Sequence, residues 1–315
     1  MGMYDIVGIG ASLYDTLMVV HQMPEEDTKM LASRTLGQGG GPCATALAAA
    51  SRLGARTAYI GVMGDDAAGV FMMRDLKEHG VDTRYCLVKK GYLSYMSFIL
   101  LNARTGSRTC IWSKGDVPPV ELGAREAEAI RNARVLHLDG NHLDAALNGA
   151  VVARQSGVKI SMDAGGNYPG VERLLPYVDL LIPSEEFALK FTGAQDAEAA
   201  ARQLYGEFHP EVLIITQGSR GGFLYDGKVH RYPVFSVPVM DSNGAGDVFH
   251  GAFVTAYLEG RTPEDAAAFA SAVSALKCSR LGGRRSVPDK QTAIQFMKQR
   301  MQTGGIVMRA GMEGE

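Results

Sequence analysis

Asp247 stands directly after Gly244-Ala245-Gly246, where an extended segment expected over 232–240 gives way to a helix rich in small residues. Small side chains at a helix start leave the first backbone N–H groups accessible, and those amides, with the helix dipole, attract an anion. A carboxylate in the first turn suits the dipole but repels a phosphate resting beside it. The two demands are reconciled if Asp247 takes a proton from a hydroxyl nucleophile while the 244–246 amides hold charge developing on a transferred phosphoryl group. The plainer alternative is a helix capped by Asp241 or Asn243, with Asp247 complementing the dipole.

The elements that must position this turn follow from the pattern of apolar residues. Tyr4 to Gly10 is an apolar run closed by glycine, read as a buried strand. Gly39-Gly40-Gly41-Pro42 opens an alanine-rich helix to Leu53, with proline suited to the first helical turn. From Arg134 onward strands and helices alternate, which predicts a parallel sheet with helices on both faces and ligands at the strands' carboxyl ends. Asp139 and Asp163 fall at such ends, and Thr216-Gln217-Gly218-Ser219-Arg220-Gly221 follows an isoleucine-rich strand as a glycine loop able to cradle phosphate or ribose. Strand-like segments at 16–22, 29–36, 85–88, 94–102 and 108–112 interrupt the α/β rhythm, so a small β lid is expected from about 16–36 and 85–112. Lys29, Arg108 and Trp112 could face the substrate from it, and an apolar lid face would offer a homodimer surface.

The whole-chain totals exclude several classes. The 315 residues are 46% hydrophobic, ample for a core, and the net charge of −2 carries no basic nucleic-acid footprint. Four scattered cysteines without a Cys-x-x-Cys pair argue against a zinc site or disulfide framework. No window approaches the roughly 18 apolar residues of a membrane span, so a soluble cytoplasmic protein without membrane or nucleic-acid partners is expected. Gly8-x-Gly10 lacks the third glycine of a dinucleotide fingerprint, and the P-loop-like run 222–229 has Val229 where Ser or Thr is required.

The segment Asp241-Ser242-Asn243-Gly244-Ala245-Gly246-Asp247-Val248-Phe249, followed by Gly251-Ala252-Phe253, resembles the C-terminal signature of the ribokinase-like (PfkB) carbohydrate kinases. The stretch from Gly39 through Ala55 and Gly64-Asp65-Asp66-Ala67-Ala68-Gly69 is similar to the same family's N-terminal signature. The resemblance implies a ribokinase-like three-layer α/β/α domain over 1–302 with a mainly parallel sheet and a β-sheet lid, the chain beyond fraying at 303–315. It implies ATP and Mg2+, and possible use of K+. Asp247 would be the base and Gly244, Ala245 and Gly246 the anion hole. Asp15, Gly40, Gly41, Thr45 and Asp139 would join Asp247 at the sugar, while Thr216, Gly218, Ser219, Gly221, Gly244, Gly246 and Gly283 would meet the nucleotide. Asp241, Asn243 and Ser286 stand where the family holds a monovalent cation.

Two departures stand out. Leu13 and Thr45 replace residues that are Asn in ribokinases, and Pro183-Ser184-Glu185-Glu186-Phe187 lacks the family's Asn-x-x-Glu, leaving Glu185 or Glu186 to act on Mg2+ through water. The glycine-rich segments look more similar to the sulfofructose kinase and ketohexokinase-like branch, implying transfer to a primary hydroxyl of a ketose or modified ketose. A nucleoside kinase of the same fold and a non-catalytic nucleotide or sugar sensor are the alternatives; the retained Asp247 speaks against the sensor.

Overall fold

A computed structural model describes residues 3–166 and 168–303, with the backbone of a short strand at 306–307. In chain order the elements are β1 (Tyr4–Ile9), β2 (Leu13–Val20), β3 (Arg34–Gly40), α1 (Pro42–Arg52), β4 (Thr57–Gly64), α2 (Ala67–Glu78), β5 (Asp82–Lys89), β6 (Met96–Asn102) and β7 (Arg108–Ser113). They continue as α3 (Ala124–Arg131), β8 (Ala133–Leu138), α4 (Leu143–Gln155), β9 (Lys159–Ala164), β10 (Leu180–Pro183), α5 (Glu185–Thr192), α6 (Ala197–Phe208), β11 (Val212–Thr216), β12 (Gly222–Tyr225) and β13 (Val229–Arg231). The last are β14 (Val234–Phe235), α7 (Ala245–Leu258), α8 (Pro263–Cys278), α9 (Lys290–Thr303) and β15 (Ile306–Val307), which pairs with β14.

Nine strands form the main sheet in the order β13-β12-β11-β10-β9-β8-β1-β4-β5, parallel from β11 through β5, with β12 and β13 added antiparallel at one edge. The period-2 alternation of each strand builds a core on either face. Ile9, Ile60, Leu136, Leu181 and Leu213 pack with the helices from α3 to α6. Their neighbours Tyr59, Val135, Leu180 and Val212 pack with α1, α2, α7, α8 and α9. The chain runs outward from β1 through β4 to β5, then returns to build from β8 toward β11, so strand order reverses between β1 and β8. A crevice at the carboxyl ends beside such a reversal is where open α/β sheets bind ligands.

A second, four-stranded sheet, β3-β2-β6-β7, forms the lid. One face holds Leu17, Ile99 and Leu101 against Leu281. The expected 85–88 lid strand is instead part of β5 at the edge of the main sheet, where it pairs with β4. Its apolar alternation reports a strand but not the sheet that receives it. The first two lid strands are also displaced, to 13–20 and 34–40, so that the 37–40 glycines lie within β3. The extended run expected over 232–240 contains only the two-residue β14, because Pro233 and Pro238 cannot donate to a ladder. Of the tail expected to fray over 303–315, all but Thr303 and the strand at 306–307 lies outside the described residues. No described helix is long and apolar enough to cross a membrane.

Candidate active site

The turn leading into α7 is set by close packing rather than by a side-chain cap. Gly244, left-handed at φ 75°, is the N-cap of α7, and no side chain caps it, so neither Asp241 nor Asn243 plays that part. Ala245 N–H donates to the Ser242 carbonyl at 3.3 Å, and the N–H groups of Gly246 and Asp247 find no acceptor among the described residues. These two amides open toward a cleft of about 930 Å³ at the carboxyl ends of the sheet. α7 lies between α1 and α8. Gly251 makes its contact with α1 possible, since a Cβ there would sit 2.1 Å from the Ala46 carbonyl oxygen.

Asp247 lies deep in the cleft, with part of its surface still reaching cleft water. Burial first, then the Asp163 carboxylate, push its acid up to about 7, with His250 opposing and Asp139 and Asp15 adding to the rise. Such a value suits a proton acceptor working near neutral pH. Asp163 is held in the opposite sense. Burial alone would raise it, but His250, whose Nε2 lies 3.3 Å from its Oδ1, outweighs that and keeps it below the usual carboxylate range. His250 follows Asp247 by three residues on α7, so both face one way. Behind it stands His137, held down to about 3 by burial and hence neutral. Asp163 was visible in the sequence as a strand-end acid; His250 was missed, its signal being the i, i+3 spacing from Asp247.

Of the residues expected at the sugar, Asp139 and Asp247 line the cleft. Asp139 accepts from Ala11 N–H at 2.8 Å and Cys43 N–H at 3.0 Å on one oxygen, and from Asn141 on the other. A carboxylate has about four acceptor positions, so Asp139 is committed to tying β1, β8 and the start of α1 together across the strand-order reversal. Asp15 is buried on the lid strand β2, accepting from Ser97 Oγ at 2.6 Å and Asn243 Nδ2 at 3.4 Å, and burial raises its acid. Gly41 caps α1 at φ 95°, where a Cβ would come 2.5 Å from the Ala11 carbonyl oxygen. The Thr45 hydroxyl accepts from Arg284 at 3.3 Å, and the Gly40 carbonyl accepts from the same guanidinium. Arg284 is therefore a buried structural cation, paired with Asp75 at 2.7 Å.

Thr216, Gly218, Ser219, Gly221, Gly244 and Gly246 all line the cleft. Gly283 does not join them. Its N–H donates to Gln38 at 2.8 Å, facing β3 instead. Glu185, expected near Mg2+, is engaged by Gln217 at 2.8 Å and by Arg220, while its neighbour Glu186 lines the cleft. Helix geometry explains the exchange, because adjacent helical residues point about 100° apart. Among the described residues no cluster of three or more His, Cys, Asp or Glu could hold a metal.

The three residues expected around a monovalent cation do not fit one. The Asp241 and Asn243 carbonyls both accept from Lys277 Nζ, the first at 2.8 Å, and the Ser286 hydroxyl is turned to the carbonyls of Gly282 and Gly283. From the lid, Arg108 Nη1 reaches Ser242 Oγ at 3.3 Å and lines the cleft. Trp112 is in register with Ser97, and Ser97 with Asp15, placing it on the same lid face. Lys29 is exposed and lines no part of the cleft.

The cleft thus joins a raised carboxyl acid and free helix amides to a glycine loop at a strand end, under a lid. The family model described as pfkB family carbohydrate kinase matches residues 3–290. The ribokinase of Haemophilus influenzae is 30% identical over 269 residues, covering 82% of this chain and 87% of its own length. Ketohexokinase of Mus musculus is 25% identical over 289 residues, covering 88% of this chain and 97% of its own. An Agrobacterium tumefaciens structure provisionally described as a ribokinase superposes with a TM-score of 0.89 at 29% identity, covering 96% of this chain and 99% of that one. With nearly its whole length accounted for in this way, the chain belongs to the pfkB family of carbohydrate kinases.

Proposed function

We propose that the protein transfers the γ-phosphoryl group of ATP to a primary hydroxyl of a small sugar, with a ketose or modified ketose favoured and Asp247 as general base. The observation that carries this reading is the pairing of an acid raised to about 7 with the unpartnered Gly246 and Asp247 amides in one helical turn. Asp247 accepts the hydroxyl proton as the oxygen attacks phosphorus, and the Gly246 and Asp247 amides stabilise the negative charge on the equatorial oxygens. Thr216, Gly218, Ser219 and Gly221 line the wall that would hold the nucleotide. Bound Mg2+ would neutralise ATP phosphate charge, and Glu186 is the cleft carboxylate available to orient its water shell. Arg108 fastens the lid to the base turn, which excludes water as a competing acceptor.

The ketose preference is supported by Thr45, whose hydroxyl is engaged by Arg284 and which offers no amide to a ribose, and by the ketohexokinase among the relatives. A nucleoside is the second acceptor class, favoured by the half-open Trp112 ring on the Asp15 face and by a relative named nucleoside kinase. We also propose that the outer lid face, with Phe98 paired to Ile111, joins two copies of the chain. An ADP-release assay with ATP, Mg2+ and a panel of ketoses, aldoses, sulfosugars and nucleosides tests the acceptor class. A ketose should give the highest kcat/KM; preference for a nucleoside would move the reading to the second class.

A further inference from the structure

The loop that leads into the base turn is built around a positive charge supplied by the chain itself. Lys277, in the last turn of α8, has no exposed side-chain surface, nor does Asp241. Its Nζ donates to the Asp241 carbonyl at 2.8 Å and to the Asn243 carbonyl, and lies 3.8 Å from Asp241 Oδ1. The Asp241 carboxylate meanwhile fixes Asn243 N–H at 2.8 Å and Gly282 N–H at 3.0 Å. Two carbonyls accept from the ammonium and the Asp241 carboxylate lies within ion-pair distance, which compensates a fully buried charge. Carbonyls converging with a carboxylate are also the oxygen set a dehydrated monovalent cation would need. The ammonium and such an ion cannot share it.

We infer that Lys277 is a built-in substitute for a monovalent cation, fixing the 241–243 loop and through it Gly244 and the amides of the base turn. The position of the charge explains its reach. Asn243 is adjacent to Gly244, and the Asn243 side chain extends to Asp15 on the lid strand β2. The α8 helix carries the charge, and Ser274, one turn earlier, donates to the Ala245 carbonyl at 2.8 Å, so one helix holds both sides of the turn. A dissociable ion would leave this loop dependent on salt composition, whereas a tethered one keeps it formed in any salt.

The test uses the full chain and reads thermal stability in the chlorides of potassium, sodium and tetramethylammonium at equal ionic strength. Only the accompanying turnover measurement rests on the kinase reading, so loss of that reading leaves the stability result intact. Wild-type protein should melt at one temperature in all three salts and turn over within about twofold, since an ion that does not bind the native state cannot stabilise it. Lys277→Ala should melt lower in tetramethylammonium and recover selectively in potassium, which can enter the vacated oxygen cage. Lys277→Met fills the space without charge and should melt lower with no selective recovery. Potassium-selective stabilisation or activation of the wild type would overturn the inference. So would a Lys277→Met protein with wild-type melting temperature and turnover. Should either variant fail to fold, the wild-type salt comparison decides alone.

Discussion

His250 Nε2 lies 3.3 Å from Asp163 Oδ1, one helical turn beyond Asp247. The pair makes Asp163 an anion in the folded protein, and that anion is the largest charge raising Asp247. A base works in its deprotonated form, so activity should rise with pH through about 7, the value to which Asp247 is pushed. Asp163→Asn removes the neighbouring charge and should move this acid limb of the kcat/KM profile to lower pH. An unmoved limb would show that another group controls it.

The same raised acid makes a stability prediction of opposite sign to the activity. Asp247 is raised from 3.8 to about 7 on folding, so its contribution is favourable below the unfolded value and is lost as pH rises through about 7. Ionised Asp247 then destabilises the free enzyme by up to about 4 kcal/mol, less where cleft water screens it. Asp247→Asn should therefore melt higher than wild type at pH 8 and gain less at pH 5. Equal gains at both pH values would mean the carboxylate is not strained by its surroundings.

Arg284 and Asp75 form a pair with side chains 1% and 4% exposed, and the guanidinium also holds Gly40 and Thr45. Removing one partner leaves the other charge buried alone, so Arg284→Met should cost about 3–5 kcal/mol in urea unfolding. The Asp75→Asn, Arg284→Met double variant should recover part of that loss. Additive losses in the double-mutant cycle would show that the two charges are not coupled.

Phe98 and Ile111 are 48% and 68% exposed on the outer face of the lid, directly paired across β6 and β7. If two copies meet there, light scattering should give a dimer mass for the wild type. Ile111→Glu should then shift the mass toward the monomer while the fold signal in circular dichroism persists. A monomeric wild type at micromolar concentration would contradict the lid interface.

The turn before α7 is legible in the sequence because Gly244-Ala245-Gly246-Asp247 is a contiguous local device, and the α/β alternation after Arg134 is likewise a local pattern. What the sequence could not show depends on residues distant along the chain. Nothing in the residues around Lys277 points to its partners, the carbonyls of Asp241 and Asn243 on another segment. Arg284 follows a glycine pair far along the chain from α2, yet it pairs with Asp75 there. The 85–88 strand has the apolar rhythm of either sheet, and only its register with β4 assigns it. Glu185 and Glu186 differ by one helical step, which decides that one meets Arg220 and the other the cleft.

The most direct test of the account is kcat for Asp247→Asn with ATP, Mg2+ and the best acceptor from the panel, beside wild type and with KM for both substrates. The account predicts a kcat loss of about 10²–10⁴-fold with KM values little changed, since a general base acts in the transition state. Turnover within a few-fold of wild type would contradict it.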